Sequence, residues 1–102
     1  MRALHLATRL AGTDGVSLEA DKVARVLSEL GFERLDCAGE VETPGAIRLP
    51  EMHFRDPVAV DLHDRAFGDE APDPALERDL EAAAGRLTEA LLPRVRDAAP
   101  DL

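Results

Sequence analysis

This sequence has few aromatic residues, with three Phe among 102 residues and no Trp or Tyr. Binding of nucleic acid through stacking of bases on aromatic side chains is therefore disfavoured. Cys37 is the only cysteine, which excludes an intrachain disulfide and fits a reducing compartment. No apolar run reaches membrane-spanning length, and the few apolar residues from Met1 to Leu6 are too short for a signal-peptide core. We therefore expect a cytoplasmic protein without a membrane span.

Positive charge is also scarce, because 12 basic residues face 21 acidic ones and give a formal net charge of −9. Most of this excess lies in residues 51–102, which hold 13 acidic and 6 basic residues. Such a surface repels phosphate backbones and anionic lipid headgroups, so we expect neither nucleic acid nor a membrane surface as a partner. Most of the acidic residues are expected to lie on solvated helix faces.

The first forty residues predict a strand, a turn and a helix, followed by a second strand. Residues 3–8 form a short apolar run typical of a buried strand, and residues 11–15 form a turn cluster. A helix is predicted from about Ser17, the expected N-cap, to a C-terminal end at Gly31. Its apolar stripe comprises Ala20, Val23, Val26, Leu27 and Leu30. With a second strand at residues 34–38, this order predicts a right-handed parallel βαβ unit.

The remainder of the chain predicts a short strand and two helices. A turn at residues 43–45 precedes a third strand at 46–49, and residues 51–55 are compatible with strand or loop. Asp56-Pro57 predicts the start of a helix that ends near Phe67. Residues 68–73 read as an acidic loop, and Asp73-Pro74 repeats the same helix-start signal.

The last helix is predicted to be long, with a regular apolar stripe expected to face the core. Pro93 lacks a backbone donor, so a kink or an end is expected near Leu92. The stripe consists of Leu76, Leu80, Ala83, Ala84, Leu87, Leu91 and Val95. An interaction surface is the alternative role for this stripe.

Together these elements predict an α/β fold, a partial Rossmann-like (doubly wound) parallel sheet with flanking helices, which is incomplete within 102 residues. In the common doubly wound order, a fourth strand lies on the far side of the first. That strand would begin where this sequence ends, leaving residues 3–8 as an unpaired sheet edge. We therefore expect a fragment, or a chain that must pair with something.

The candidate ligand site is the glycine-bearing turn between the first strand and the first helix. It comprises Gly12, Thr13, Asp14, Gly15, Val16 and Ser17. Such a turn lies at the carboxyl end of its strand, where open α/β sheets bind ligands. The glycines allow close backbone approach, N–H groups at a helix start can hold phosphate or carboxylate, and Ser17 could donate a hydroxyl hydrogen. The turn lacks the Lys of a P-loop and the third Gly of a dinucleotide motif, so a simple tight turn is the alternative.

This turn and its surroundings resemble a known family. The segment Thr8-Arg9-Leu10-Ala11-Gly12-Thr13-Asp14-Gly15-Val16-Ser17-Leu18-Glu19 is similar to the opening of the N-terminal domain of GT-B-fold glycosyltransferases of the retaining family-4 kind. The similarity continues through residues 30–31, 38–40 and 50–54, and covers nearly all of the chain.

The resemblance implies that residues 1–102 are the acceptor-side portion of a two-domain enzyme. Such an enzyme binds a sugar acceptor and a nucleotide-sugar donor in a cleft, and Gly12, Thr13, Asp14, Gly15 and Ser17 are the implied substrate-binding residues. The resemblance also implies that transfer is metal-independent and needs no cofactor, and that backbone N–H donors and basic side chains stabilise the departing diphosphate. The paired-glutamate donor motif belongs to the other domain, so this chain alone is expected to be inactive, with its catalytic residues unknown.

Other functions remain alternatives. The chain could be a standalone small α/β module that binds an anionic ligand or dimerises through its exposed sheet edge. A Rossmann-like epimerase or dehydrogenase is disfavoured because the sequence lacks G-x-G-x-x-G. A receiver-like module is disfavoured because no acidic cluster ends the first strand.

The remaining candidate residues favour structural roles. His53, Asp56, Asp61, His63 and Asp64 match no zinc spacing, so no metal site is expected. His5 is expected to pack in or beside the core, and Cys37 to be a buried strand residue.

Overall fold

A computed structural model describes residues 1–68 and 73–102 of the chain. The predicted acidic loop at 68–73 therefore falls largely on residues 69–72, which lie outside the described residues. The elements in chain order are β1 (Arg2–Leu10), α1 (Gly15–Glu29), β2 (Glu33–Val41), β3 (Ile47–Arg48), a short 3-10 helix (Pro50–Met52), α2 (Pro57–Phe67) and α3 (Leu76–Ala98).

The described strands form one parallel sheet in the order β3-β2-β1. Leu4 lies opposite Leu35 and Cys37 lies opposite Ile47 in the observed register. The predicted α/β class and the partial doubly wound sheet with flanking helices are confirmed. Both main strands extend beyond their predicted bounds, since their main-chain pairing continues past the apolar residues that suggested them.

The two faces of the sheet carry different elements. Arg34 and Asp36 face α1, because the Arg34 guanidinium is 2.8 Å from Asp21 on that helix. The alternate residues of β2 face the other way, where a Cβ placed at Gly39 would lie 2.2 Å from the His53 backbone nitrogen. Cys37 shares that second face, and Arg94 of α3 influences its thiol. Thus α1 covers one face, while the 3-10 helix and α3 lie on the other.

Helix α1 ends as the sequence predicts. Gly31 has φ +91°, and the N–H groups of Gly31 and Phe32 donate to the carbonyls of Ser28 and Leu27. This pair of bonds is a Schellman motif, which requires a residue in the left-handed region.

The predicted apolar stripe of α1 is only partly correct. Among its members, Ala20 and Leu27 are half-buried, whereas Val23, Val26 and Leu30 are each at least 48% exposed. Ala24, which the stripe left out, is buried. Small side chains dominate the buried core, which consists of Ala3, Leu10, Ala11, Ala24, Cys37, Ala38, Leu49, Leu62 and Ala98. Close approach of α1 to the sheet therefore occurs through alanine rather than through the larger Val residues.

Helix α2 begins as predicted and α3 does not. The Asp56 carboxylate accepts the Ala59 N–H at 3.3 Å, which caps α2. Asp73 accepts the N–H groups of Ala75 and Leu76, so Asp73-Pro74 forms a turn and α3 begins at Leu76. The alternative that a helix ends near Leu92 is wrong, because α3 continues through Pro93 to Ala98.

The expectation that the α3 stripe faces a core is met only in part. Five stripe residues, Leu76, Ala83, Leu87, Leu91 and Val95, are half-buried. Leu80 and Ala84 are exposed, and Ala98 is the one buried residue of this helix. The main neighbours of α3 are α2 and the 3-10 helix, so part of its apolar side stays exposed.

After α3 the chain returns to the first strand. Leu4 donates its N–H to the Leu102 carbonyl at 2.9 Å, and Leu102 donates its own to the Arg2 carbonyl at 3.2 Å. This alternation is the pattern of a parallel bridge opposite Ala3. Asp101 and Leu102 therefore lie on the outer edge of β1, where a doubly wound sheet has its fourth strand. Within the described residues, no helix is long and apolar enough to cross a bilayer.

Candidate functional site

The predicted site loop lies at the carboxyl end of β1, next to the carboxyl end of β2. Gly12 adopts φ +69°, a left-handed conformation that L side chains rarely take. Its N–H donates to Glu42 just beyond β2 at 2.9 Å. The loop is thus tied to the neighbouring strand, and Gly12 has a conformational requirement that Gly15 lacks.

Asp14, rather than the predicted Ser17, is the N-cap of α1. Its carboxylate accepts the Ser17 N–H at 3.0 Å and the Ser17 hydroxyl at 2.9 Å. The Ser17 N–H, the Ser17 hydroxyl and the nearby Arg9 guanidinium lower the pKa of Asp14. The helix begins earlier than predicted because the Asp14 carboxylate accepts the N–H of Ser17, which has no partner within the helix.

Ser17 links the helix to the loop internally. The residue is 4% exposed, and its Oγ accepts the Ala11 N–H at 3.0 Å. The same hydroxyl lies 3.1 Å from the Ala11 carbonyl and 2.9 Å from Asp14, so its hydrogen has acceptors within the chain. In this conformation the hydroxyl is engaged within the loop.

Arg9 is the cation at the centre of the site, and sequence reasoning did not select it as a site residue. Its Nε donates to Glu40 at 2.9 Å and its Nη1 to Asp14 at 2.5 Å. Those two carboxylates, Glu40 first, raise the pKa of Arg9. A Cβ at Gly12 would lie 3.0 Å from Arg9 Nη2, so the guanidinium covers the loop closely. Arg9 lies opposite Glu40 in the register of β1 and β2, and this pairing is the feature that would have indicated Arg9.

A small polar cavity lies between the loop, α1 and the segment that follows β2. It measures about 200 Å³ and includes Gly12, Asp21, Arg34, Glu42 and Thr43 in its lining. Arg34 pairs with Asp21 at 2.8 Å and with the fully buried Asp36 at 2.9 Å. Hydrogen bonding to Asp36 is the main cause of the raised pKa of Arg34. The cation in this cavity is therefore already paired.

A larger cavity of about 460 Å³ borders Arg9. It is lined by Arg9, Glu40, His53, Phe54 and Arg55. The His53 and Phe54 rings stack with centroids 4.9 Å apart, and the Arg55 guanidinium lies 5.4 Å from the Phe54 centroid. Gly39 permits this arrangement, because any side chain there would collide with the backbone of His53. Sequence reasoning weighed His53 as a metal ligand and rejected that role, and otherwise named it only within the resemblance of residues 50–54, so this neighbourhood was not predicted.

Thr13 and Gly15 complete the predicted set on the solvent side of the loop. Both are exposed, and a Cβ at Gly15 would meet nothing within 4 Å. The structure therefore divides the five residues into an internal part, Asp14 and Ser17, and an accessible part, Thr13 and Gly15. Gly12 lies between these two parts and provides the turn.

The other candidates are separate from this loop. Asp56 caps α2 and pairs with Arg86 at 2.7 Å, while His63 and Asp64 are exposed on α2. Among residues 1–68 and 73–102, no three His, Cys, Asp or Glu side chains are placed to hold a metal ion. Cys37 is 1% exposed, as predicted, and its burial raises the pKa of its thiol. His5 is half-buried, and its Nε2 has no partner in the described part of the chain.

Comparisons with models of protein families, with curated proteins and with solved structures find no match to this chain.

Proposed function

We propose that this chain is the acceptor-side portion of a nucleotide-sugar-dependent glycosyltransferase. The complete enzyme would bind a sugar acceptor and a nucleotide-sugar donor, and would use no further cofactor. The proposal rests on the resemblance of residues 8–19 and on the site's location. The loop that carries the resemblance lies at the carboxyl end of a parallel sheet, where open α/β folds bind ligands.

The observation that carries the proposal is the change of sheet face at β1. Helix α1 lies on one face of the sheet and α3 on the other. Helix α1 follows β1 directly, and the chain after α3 returns to the outer edge of β1. A crevice opens at the carboxyl edge where helices change face, because no crossover helix covers that position. The Gly12 turn lies at that edge.

The charges at the site limit what this portion can do by itself. Arg9 is neutralised by Asp14 and Glu40, and Arg34 by Asp21 and Asp36. A departing diphosphate needs positive charge and N–H donors that are not already engaged. We infer that the rest of the enzyme supplies that charge, while the loop positions substrate, so the 102-residue chain alone does not transfer sugar.

The test begins with the gene read in frame past the codon for Leu102. The proposal requires an apolar strand and later a second Rossmann-like half with paired glutamates, and the complete product should consume one of a panel of nucleotide sugars. Replacing Gly12 with Ala should lower that turnover, whereas Gly85→Ala in α3 should not. A stop codon directly after Leu102, or a complete product inert toward every donor, would contradict the proposal.

A standalone binding or dimerisation module is the second candidate. It is favoured by the apolar side chains on the exposed side of α1, since Val16, Val23 and Leu30 are each about half exposed or more. Exposed apolar patches of this kind mark interaction sites. A sizing experiment that finds a stable dimer of the 102-residue chain would support this candidate.

We also propose a cytoplasmic location. The supporting observation is that the single cysteine, Cys37, is a buried free thiol. Fractionation of the native host should recover the protein with its thiol reduced.

A further inference from the structure

The cavity that borders Arg9 forms where the segment after β3 comes close to the end of β2. The Leu49 N–H donates to the Ala38 carbonyl at 2.9 Å, and the 3-10 helix then brings the His53 backbone against Gly39. Any side chain at Gly39 would collide with that backbone, so the approach requires glycine. The resulting space of about 460 Å³, here called the His53 cavity, is lined by Arg9, Glu40, His53, Phe54 and Arg55.

Arg55 gives the His53 cavity a positive charge that is not neutralised by any carboxylate of residues 1–68 and 73–102. Its guanidinium lies 5.4 Å from the centre of the Phe54 ring, and it takes part in none of the ion pairs between these residues. Arg9 and Arg34, by contrast, are each paired with two carboxylates. A guanidinium binds phosphate or carboxylate through two parallel hydrogen bonds. Arg55 is therefore the group of this cavity that suits an anion.

His53 and Glu40 provide a hydrogen-bond donor and an acceptor next to each other. His53 Nδ1 accepts the Arg55 N–H at 2.9 Å, so the hydrogen of the neutral ring is on Nε2. That Nε2 lies 3.7 Å from Glu40 Oε2, which is too long for a hydrogen bond. Glu40 Oε2 accepts from Arg9, while its Oε1 has no partner in the described part of the chain. A hydroxyl group, which both donates and accepts, matches this pair.

The volume of the His53 cavity limits the size of a ligand. Small-molecule sites measure about 300–1,000 Å³, and this cavity lies near the lower end of that range. It suits a molecule of monosaccharide size better than a whole nucleotide sugar. Phe54, which is 52% exposed, adds an apolar surface to the lining.

We propose that the His53 cavity binds a small hydroxylated molecule that carries a phosphate or carboxylate group. Arg55 donates to the anionic oxygens, Glu40 accepts from a hydroxyl, and the His53 Nε2–H donates to a hydroxyl oxygen. The inference rests on the proposed function only for the role of this molecule, which is there the sugar acceptor. Since Arg55 is engaged by that molecule, the charge for the departing diphosphate still comes from the rest of the enzyme.

Titration of the 102-residue chain with four probes, followed by the NMR shifts of its amides, tests the inference. The probes are glucose 6-phosphate, glucuronate, glucose and inorganic phosphate. We expect the two charged sugars to bind at least about 10-fold more tightly than glucose or inorganic phosphate, because each of the latter lacks one set of contacts. The largest shifts should occur at Glu40, Phe54 and Arg55.

A pair of arginine variants separates the proposed contact from a general effect of charge. Arg55→Gln should weaken the binding of glucose 6-phosphate by about 10-fold or more and leave that of glucose unchanged, because it removes charge-assisted hydrogen bonds. Arg25→Gln removes the same charge from an exposed position on α1 and should have little effect. Arg55 is exposed, so its variant should fold, and unchanged amide shifts away from the cavity verify this.

Three results would overturn the inference. These are charged sugars that bind no more tightly than glucose at up to about 10 mM, inorganic phosphate that binds as tightly as glucose 6-phosphate, and equal effects of Arg25→Gln and Arg55→Gln. Binding in the His53 cavity by a complete gene product that turns over no nucleotide sugar would refute the proposed function and keep the site. Sugar transfer with an acceptor KM that Arg55→Gln does not change would do the reverse.

Discussion

Two glycines of one loop, Gly12 and Gly15, differ in what they contribute. Gly12 adopts φ +69° and lies against the Arg9 guanidinium, whereas Gly15 begins α1 with an ordinary φ and open space around it. The sequence pattern treats both as permissive turn residues. Only the first has a backbone conformation that glycine alone adopts without strain.

Gly12→Ala should therefore destabilise the chain by about 1–2 kcal/mol, the typical cost of a left-handed conformation with a Cβ. Gly15→Ala should be neutral or stabilising by up to about 1 kcal/mol, because alanine is the better helix residue. Urea unfolding of the two variants measures the difference. Equal effects would mean that the loop does not have the described conformation.

The carboxylate of Asp14 gives the loop a pH dependence. The N–H and hydroxyl of Ser17 and the Arg9 guanidinium lower its pKa, so its folded value is below its unfolded one. A carboxylate shifted in this direction contributes stability above its unfolded pKa and loses it as pH falls through the folded pKa.

The advantage of the native chain over Asp14→Asn should accordingly shrink as pH falls from 7 to about 3. Melting temperatures across that range measure it, with the exposed Asp64→Asn as the control for general acid effects. A constant difference between native chain and Asp14→Asn would show that the cap does not depend on charge.

At the scale of single elements, Ala24 and Val23 show where sequence reasoning fails. Spacing of apolar residues located α1 correctly, and Gly31 predicted its end. Hydrophobicity selected Val23 for the buried stripe, yet Val23 is 48% exposed and Ala24 is buried. Periodicity defines a broad apolar side of a helix, but the fit to the sheet decides which part of that side is buried.

Exchanging each residue for glutamate separates the two interpretations. Ala24→Glu should cost about 3 kcal/mol or more, because it introduces an oversized side chain and an unpaired charge at a buried position. Val23→Glu should change the stability of the 102-residue chain by less than about 1 kcal/mol. Chemical denaturation tests this, and a larger loss at Val23 would favour the stripe that the sequence alone suggests.

Only the location of the site could be predicted from the sequence, and most of the side chains around it could not. Its loop followed from the turn residues between a strand and a helix. Arg9 and Glu40 could not be found in this way, since a strand register and two side-chain conformations bring them together. His53 and Phe54 reach the site because Gly39 lets the chain approach the sheet, a contact between distant parts of the sequence.

At the scale of the whole molecule, the strand order and the positions of the helices determine where the candidate site lies. Reasoning from sequence anticipated the parallel sheet, and it predicted residues 3–8 as a buried strand with an unpaired outer edge. It did not anticipate that Asp101 and Leu102 would lie on the edge of that strand, because a two-residue stretch with one apolar side chain carries no strand signal. The hydrogen bonds of Leu102 with Arg2 and Leu4 follow the parallel pattern.

Activity of the isolated chain is a prediction at the same scale. We expect the 102-residue chain to turn over no nucleotide sugar, because both cations beside the loop are paired with carboxylates. A panel of donors assayed for nucleotide release, at protein concentrations high enough to detect one turnover, measures this. Measurable turnover would show that the site is already complete.

The most direct measurement of the central claim, that Asp101 and Leu102 pair with the outer edge of β1, is amide exchange at Leu4 in the 102-residue chain. We predict that Leu4, bonded to Leu102, exchanges slowly while Leu6 and Thr8 exchange rapidly. Deleting Asp101 and Leu102 should remove the protection of Leu4 and of Arg2, whose N–H donates to the Asp101 carboxylate. If Leu4 exchanges as rapidly as Leu6 in the intact chain, the tail is not on the strand and the account of the sheet edge is contradicted.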